Sequence, residues 1–112
     1  MLLGEIKNIL GAEVLFGKEK MDINIENVGA SDLMSDVLAF NKGETLLLTG
    51  LTNPQIIRTA EIVDIKAICL VHGKKPTDDC LKLAKEKEIP LLMTELSMYK
   101  ACGKLYKAGI GI

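Results

Sequence analysis

The sequence predicts an α/β domain with a mainly parallel central sheet of about five strands and helices on both faces. Apolar segments at 45–49, 65–71 and 90–94 alternate with helical segments that are apolar on one side only. Fully apolar strands between amphipathic helices are typical of a parallel sheet covered on both faces. The 112 residues are 48% hydrophobic with a net charge of −1, which excludes disorder and allows one sizeable core. We therefore expect a single domain spanning residues 1–112.

The first quarter of the chain predicts one helix and two strands. Apolar residues at helical spacing indicate a helix over residues 2–10, and Gly11 fits its end. Residues 13–16 form a short strand candidate, and the polar residues 18–22 indicate a turn. Ile23, Ile25 and Val28 suggest a second strand that runs to Gly29.

The next segment predicts a helix followed by the central strand. Ser31-Asp32 and Ser35-Asp36 each offer a side chain that could cap a helix amino terminus. The helix is expected to continue through residues 37–40 and to be closed by 41–43. Residues 45–49 then form an apolar strand that ends at Gly50.

The rest of the chain predicts three helices with two strands between them. Asn53 precedes Pro54 and is the expected cap of one helix, Thr77 caps a helix over 78–88, and Ser97 caps the last helix. The strands at 65–71 and 90–94 lie between these helices. The side chains expected to be largely buried are Leu47, Ile57, Ile68, Leu70, Ala84 and Leu92.

Composition excludes several classes of protein. No apolar run approaches the ~20 residues of a membrane-spanning helix, and no signal peptide is expected, so a cytoplasmic location is predicted. The chain has no Trp, two Tyr and two Phe, and no uniform basic stripe, which disfavours nucleic-acid binding. Its three cysteines form no CxxC pair, so neither a metal site nor a disulfide framework is expected.

Charge is distributed unevenly along the chain. Residues 1–64 contain five basic and ten acidic side chains, a net charge of −5, whereas 65–112 contain nine and five, a net charge of +4. One interpretation is an ordinary solvated surface. The other is a homodimer in which acidic and basic parts meet across a two-fold axis.

Residues that follow the predicted strands form a candidate ligand site. Parallel strands bring their carboxyl ends to one edge of the sheet, where open α/β sheets bind ligands, and free N–H groups of helix starts attract anions there. We therefore expect a small anionic or nucleotide-like ligand to contact Thr49, Gly50, Asn53, His72, Gly73, Lys74 and Thr94. The alternative is that these residues only cap helices and permit tight turns.

Known catalytic motifs are missing from the sequence. Neither GxxxxGK[ST] nor GxGxxG in a strand–helix context occurs, so no phosphoryl-transfer machinery and no cofactor are expected. A small enzyme acting on a phosphorylated or carbonyl substrate through His72 or Lys74 remains an open alternative.

Four stretches together resemble the DRTGG domain, an α/β module related to the N-terminal domain of HPr kinase/phosphorylase. They are residues 6–15, 28–35, 46–50 and 83–94, and the resemblance covers roughly 4–108. Leu51-Thr52-Asn53-Pro54 stands where the family tends to carry an Asp-Arg pair after the third strand, which leaves Thr49 and Gly50 as matching positions.

The resemblance implies an HPr kinase N-terminal-domain-like fold and a non-enzymatic regulatory or sensory module. It does not imply kinase activity, because the P-loop of HPr kinase-like proteins lies in a separate domain. The expected function is thus a self-associating module with a small ligand at the sheet edge. The alternative from a different class is an adaptor that binds a protein partner and no small molecule.

Overall fold

The computed structural model describes residues 1–40 and 43–111. Within these residues the strands are Glu13–Phe16 (β1), Asn27–Ala30 (β2), Thr45–Thr49 (β3), Ala67–Leu70 (β4) and Leu91–Met93 (β5). The α-helices are Leu3–Leu10 (α1), Met34–Val37 (α2), Pro54–Ile62 (α3), Asp78–Lys87 (α4) and Met98–Lys107 (α5). A short 3-10 turn, Lys18–Lys20, follows β1.

The five strands form one mixed sheet in the order β1-β5-β4-β3-β2. The β2–β3, β3–β4 and β4–β5 pairs are parallel. Only β1 is antiparallel to its neighbour, with Glu13 opposite Met93 and Val14 opposite Leu92. The predicted α/β class and mainly parallel sheet are confirmed. The sheet is mixed rather than purely parallel because β1 is antiparallel to β5.

The side chains of each strand divide between two apolar cores. Successive residues of a strand point to opposite faces. In β3, Leu46 and Leu48 therefore pack on the face that α1 and α5 cover, whereas Leu47 packs on the face of α2, α3 and α4. All six side chains predicted to be buried are fully buried: Leu47, Ile57, Ile68, Leu70, Ala84 and Leu92.

Side-chain caps begin two of the helices, as predicted. The Thr77 hydroxyl oxygen accepts the Cys80 N–H at 3.1 Å, and the Ser97 hydroxyl oxygen accepts the Lys100 N–H at 3.2 Å. Asn53 occupies the cap position of α3, as predicted, but its side chain makes no capping hydrogen bond. Proline in the first turn of α3 lacks the N–H that would otherwise need a partner.

Residues 23–26 do not belong to β2, which begins later than predicted. They pair with the amino terminus of the chain: the Leu3 N–H donates to the Ile23 oxygen at 2.9 Å and the Ile25 N–H to the Met1 oxygen at 2.7 Å. The apolar residues Ile23 and Ile25 are thus inward-facing without being part of the main sheet.

The helix after β2 is also shorter and earlier than predicted. It covers one turn, Met34–Val37, and none of the proposed caps at residues 31, 32, 35 and 36 occupies its cap position, which is Leu33. The Asp32 carboxylate is instead hydrogen-bonded to the end of β3. Residues 41 and 42, proposed to close this helix, lie outside the described residues.

The helices of the described chain are short in relation to a lipid bilayer. None of them has the length and the apolar character that crossing a membrane requires.

Candidate functional site

The carboxyl ends of β2, β3, β4 and β5 meet at one edge of the sheet, called here the carboxyl edge. The segments that follow these strands, 31–33, 50–53, 71–77 and 94–97, form its surface, and α3, α4 and α5 begin there. The loops are tied together by backbone hydrogen bonds, such as the one from the Thr77 N–H to the Thr52 oxygen at 3.0 Å. All seven predicted site residues belong to this edge.

A carboxylate is bound at the end of β3. One oxygen of Asp32 accepts the Gly50 N–H at 2.6 Å and the Thr49 hydroxyl at 3.1 Å. A Cβ at Gly50 would lie only 3.3 Å from the other Asp32 oxygen, so glycine permits this close approach. Thr49 is held in turn, because its hydroxyl oxygen accepts the Leu51 N–H at 3.1 Å. Thr49 and Gly50 therefore form a seat for an anionic oxygen, which Asp32 occupies.

His72 and Gly73 form a tight turn at the end of β4. Both lie in the left-handed region, with φ of 63° and 64°, and the Lys74 N–H donates to the Val71 oxygen at 3.3 Å. Non-glycine residues seldom adopt this conformation, as His72 does here. Its Nε2 accepts the Met98 N–H at 3.4 Å, so the imidazole contacts the first turn of α5.

The Glu95 carboxylate lies where the Cβ of any other residue at position 73 would be. Gly73 donates its N–H to the Thr94 oxygen at 2.8 Å. Any side chain at position 73 would meet both an unfavourable φ and Glu95, which explains glycine here.

Thr94 connects the carboxyl edge to α1. It is buried, and its hydroxyl donates to the Leu10 oxygen at 2.7 Å while accepting the Leu96 N–H at 3.3 Å. The hydroxyl is thus engaged in bonds within the chain that join the end of β5 to the last turn of α1.

Replacing Thr94 by Val is expected to lower the free energy of unfolding by about 1–3 kcal/mol, because the buried Leu10 carbonyl would lose its partner. Urea unfolding of the two proteins measures the difference. Thr52→Val, at a half-exposed position of the same edge, is the matched control. A loss for Thr94→Val no larger than that of the control would contradict the structural role.

Three of the predicted residues, Asn53, His72 and Lys74, are exposed at this edge. Among the described residues, the side chains of Asn53 and Lys74 have no hydrogen-bond or ion-pair partner. The seven residues therefore differ in role: Thr49 and Gly50 bind Asp32, His72 contacts α5, Gly73 and Thr94 are structural in the turn and the strand end, and Asn53 and Lys74 remain available.

Sequence reasoning missed the two acidic residues of this edge. The residue pattern predicts a helix cap at Asp32 and no contact for Glu95. The only signal in the sequence is position, since both lie within two residues of a strand end.

Burial makes the thiols of the cysteines harder to ionise. Burial raises the pKa of the Cys69 thiol from 9.0 to about 12, and burial also raises the pKa of Cys80 and of Cys102. A thiol must ionise to act as a nucleophile or a metal ligand. Cys69 lies inside β4 and does not reach the carboxyl edge.

A groove of about 850 Å³ lies between α1 and β1, away from the carboxyl edge. Its lining includes Glu5, Lys7, Glu13 and Lys18, two residues of each charge, and none of the seven predicted site residues. The mixed charge does not select an anionic ligand.

A comparison with family models identifies the family of this chain. The model described as the DRTGG domain matches residues 5–108. The chain belongs to the DRTGG domain family. The resemblance predicted for this DRTGG domain from residues 4–108 is therefore confirmed.

Comparison with solved structures finds the same fold. The DRTGG domain resembles the crystal structure of the CBS and DRTGG domains of the regulatory region of Clostridium perfringens pyrophosphatase, complexed with the activator diadenosine tetraphosphate. The TM-score is 0.68 and the sequence identity 17%, over 91% of this chain and 44% of the other. The DRTGG domain thus spans less than half of that chain. No curated protein matches it.

Proposed function

We propose that this DRTGG domain is a non-enzymatic regulatory module that binds a small anionic, nucleotide-like ligand at the carboxyl edge and associates with a second copy of itself. The observation that carries the ligand-binding part of the proposal is the hydrogen bond from the Gly50 N–H to the Asp32 carboxylate at 2.6 Å. A backbone N–H that donates to one anionic oxygen can donate to another, such as a phosphate oxygen.

Ligand binding at this seat would act through Asp32. A phosphate on Gly50 and Thr49 takes the place of the carboxylate, and the two negative charges repel each other. Displacing Asp32 frees the segment 31–33, which leads into α2. Lys74, exposed on the neighbouring loop, supplies an attractive charge whose effect weakens with salt. Ligand binding at Thr49 and Gly50 thereby changes the shape of the surface that residues 31–33 form.

The comparison with the pyrophosphatase region supports a nucleotide as the first ligand to test. That regulatory region was crystallised with diadenosine tetraphosphate, and it shares the fold of this domain. The probes are therefore AMP, ADP, ATP and diadenosine tetraphosphate, with inorganic phosphate to separate phosphate recognition from base recognition.

Thermal unfolding in the presence of each probe tests the proposal. A ligand at 100 times its Kd stabilises the folded state by about 2.7 kcal/mol, which is a readily measured rise in Tm. For a probe that shifts Tm, calorimetry is expected to show weaker binding for Gly50→Val and Lys74→Ala. Asp32→Asn is expected to bind more tightly, because it removes the competing charge.

Lys18→Ala is the matched control, because Lys18 is also exposed but follows the antiparallel strand β1, whose carboxyl end lies opposite the carboxyl edge. It is expected to bind as the unmodified domain does. If Gly50→Val, Lys74→Ala and Asp32→Asn all leave the affinity unchanged, the ligand binds at a different site. The lack of any shift with all five probes would favour the adaptor alternative.

A further inference from the structure

The outward face of α5 carries two parallel rows of exposed residues. One row has two tyrosines around a glycine, and the other row has three lysines. The rows are Tyr99, Gly103 and Tyr106, and Lys100, Lys104 and Lys107. Residues three, four and seven positions apart lie on one side of a helix, so each row is continuous. Because Tyr99 is 87% and Tyr106 69% exposed, the face has an open aromatic side next to its basic side.

The lysine row has no acidic partner in the described part of the chain. Helix α5 contains three lysines and no acidic residue, whereas the three lysines of α4 are balanced by three acidic residues. Glu95, just before α5, has its carboxylate against Gly73. The ion pairs among the described residues involve Lys66 and Lys87, and none involves a lysine of α5. The positive charge of this face is therefore open to a group outside the chain.

Gly103 leaves a shallow depression between the two tyrosines. The depression has a volume of about 590 Å³, and its lining is Tyr99, Cys102, Gly103, Tyr106 and Lys107. A Cβ on Gly103 would meet nothing within 4 Å, and its φ is not positive, so no contact or strain among the described residues requires glycine. Glycine in a helix is less stable than alanine. The helix is thus weakened at the one position where a larger side chain would fill the depression.

We propose that this face of α5 binds an acidic helix of a protein partner. A helix with acidic residues at the same spacing of four and three positions places its carboxylates opposite Lys100, Lys104 and Lys107. An apolar side chain beside that acidic row enters the depression over Gly103. Tyrosines are enriched in protein interfaces, and opposite charge favours the correct partner and speeds its association. The inference is independent of the ligand and of the self-association proposed above.

The other anionic partners fit this face less well. The apolar side of α5, with Ala101 and Leu105, is buried in the core, so the helix has no free apolar face to insert into a lipid bilayer. Three lysines alone hold a protein only weakly at an anionic membrane. Single-stranded nucleic acid is bound in basic grooves that follow its backbone, whereas these lysines stand on one helix of a chain with a net charge of −1.

Fluorescence anisotropy with a labelled synthetic peptide tests the surface. The probe is a stapled helix with glutamates spaced by four and three positions and a parallel row of leucines, and its control has the same composition in scrambled order. The domain is expected to bind the probe and not the scrambled peptide, more weakly as salt rises. Lys100→Glu with Lys104→Glu is expected to weaken binding by more than about tenfold. Lys82→Glu with Lys85→Glu is the matched control, with the same charge change at exposed positions of α4, across the sheet from α5.

Gly103→Met separates the depression from the charge. Methionine is a better helix former than glycine and has free space at this position, so Tm is expected to rise. Its side chain fills the depression, so the probe is expected to bind several-fold more weakly. Stability and affinity then change in opposite directions, which damage to the fold would not produce. Circular dichroism of all variants should match that of the unmodified domain.

Four results would overturn the proposal. The first is the lack of probe binding at millimolar peptide. The second is equal binding of the scrambled peptide, or equal loss with the α4 substitutions, which would mean attraction by net charge alone. The third is tighter binding of phosphatidylserine vesicles or oligothymidylate than of the probe, lost in Lys100→Glu with Lys104→Glu. The fourth is a change in the sedimenting mass of the domain alone in that variant, which would assign this face to a second copy.

Discussion

The substitution Leu47→Ala is expected to lower the free energy of unfolding by about 2–5 kcal/mol. Leu47 is fully buried in the middle of β3, where Gly29 of β2 and Ile68 of β4 lie on either side of it. Its side chain packs with Ile56, Ile57 and other apolar residues beneath α3 and α4. Alanine would leave a cavity that strands paired on both sides cannot close. Urea unfolding followed by circular dichroism measures the loss.

Ile62→Ala is the appropriate control for this measurement, because the side chain of Ile62 is largely exposed on α3. Its effect is expected to stay within about 0.5 kcal/mol. A loss below about 1 kcal/mol for Leu47→Ala would mean that the core beneath α3 and α4 is not packed as described.

The stability of the domain is expected to fall steeply above pH 9 because of Cys69. Burial raises the pKa of this thiol from its ordinary 9.0 to about 12 in the folded chain. Between these values the unfolded chain loses the proton and the folded chain keeps it, so ionisation stabilises the unfolded state. The contribution is fully present below pH 9 and declines by about 1.4 kcal/mol per pH unit towards pH 12.

Urea unfolding at pH 8, 9, 10 and 11 checks this expectation, with Cys69→Ala as the reference. Lysine and tyrosine side chains titrate in the same range in both proteins, so the informative quantity is the difference between the two pH profiles. The unmodified chain should lose stability faster than Cys69→Ala as the pH rises. Parallel profiles would show that Cys69 ionises normally in the folded state.

The parts of the fold predictable from sequence are those decided by local patterning. The bounds of β3 follow from a short run of three leucines between two threonines, flanked by Glu44 and Gly50. Thr77 and Ser97 cap helices through bonds to residues three positions later. Apolar periodicity likewise fixed which faces of α3 and α4 are buried. In each case the deciding interaction lies within the element or with the layer next to it.

The parts that sequence could not predict depend on contacts between distant segments. The direction of β1 follows from its pairing with β5, for which the residues of β1 carry no local signal. Asp32, a good cap by type, does not cap α2, because its carboxylate bonds to Gly50 instead. The same holds for the candidate site. Its location follows from strand direction, but the engagement of Thr94 with Leu10 joins residues that periodicity cannot relate.

The antiparallel strand at the edge has a consequence for how the chain folds. β2, β3, β4 and β5 are neighbours in the sheet in the order in which they occur along the chain, so each can join the growing sheet as soon as it is made. β1 precedes them all, yet its partner is β5, with Glu13 opposite Met93. Closing so long a loop costs entropy that only the finished sheet can offset, so β1 docks late. During synthesis, the first strand of this domain therefore waits for the last, and a chain interrupted before β5 leaves β1 without its partner and the edge of β4 uncovered.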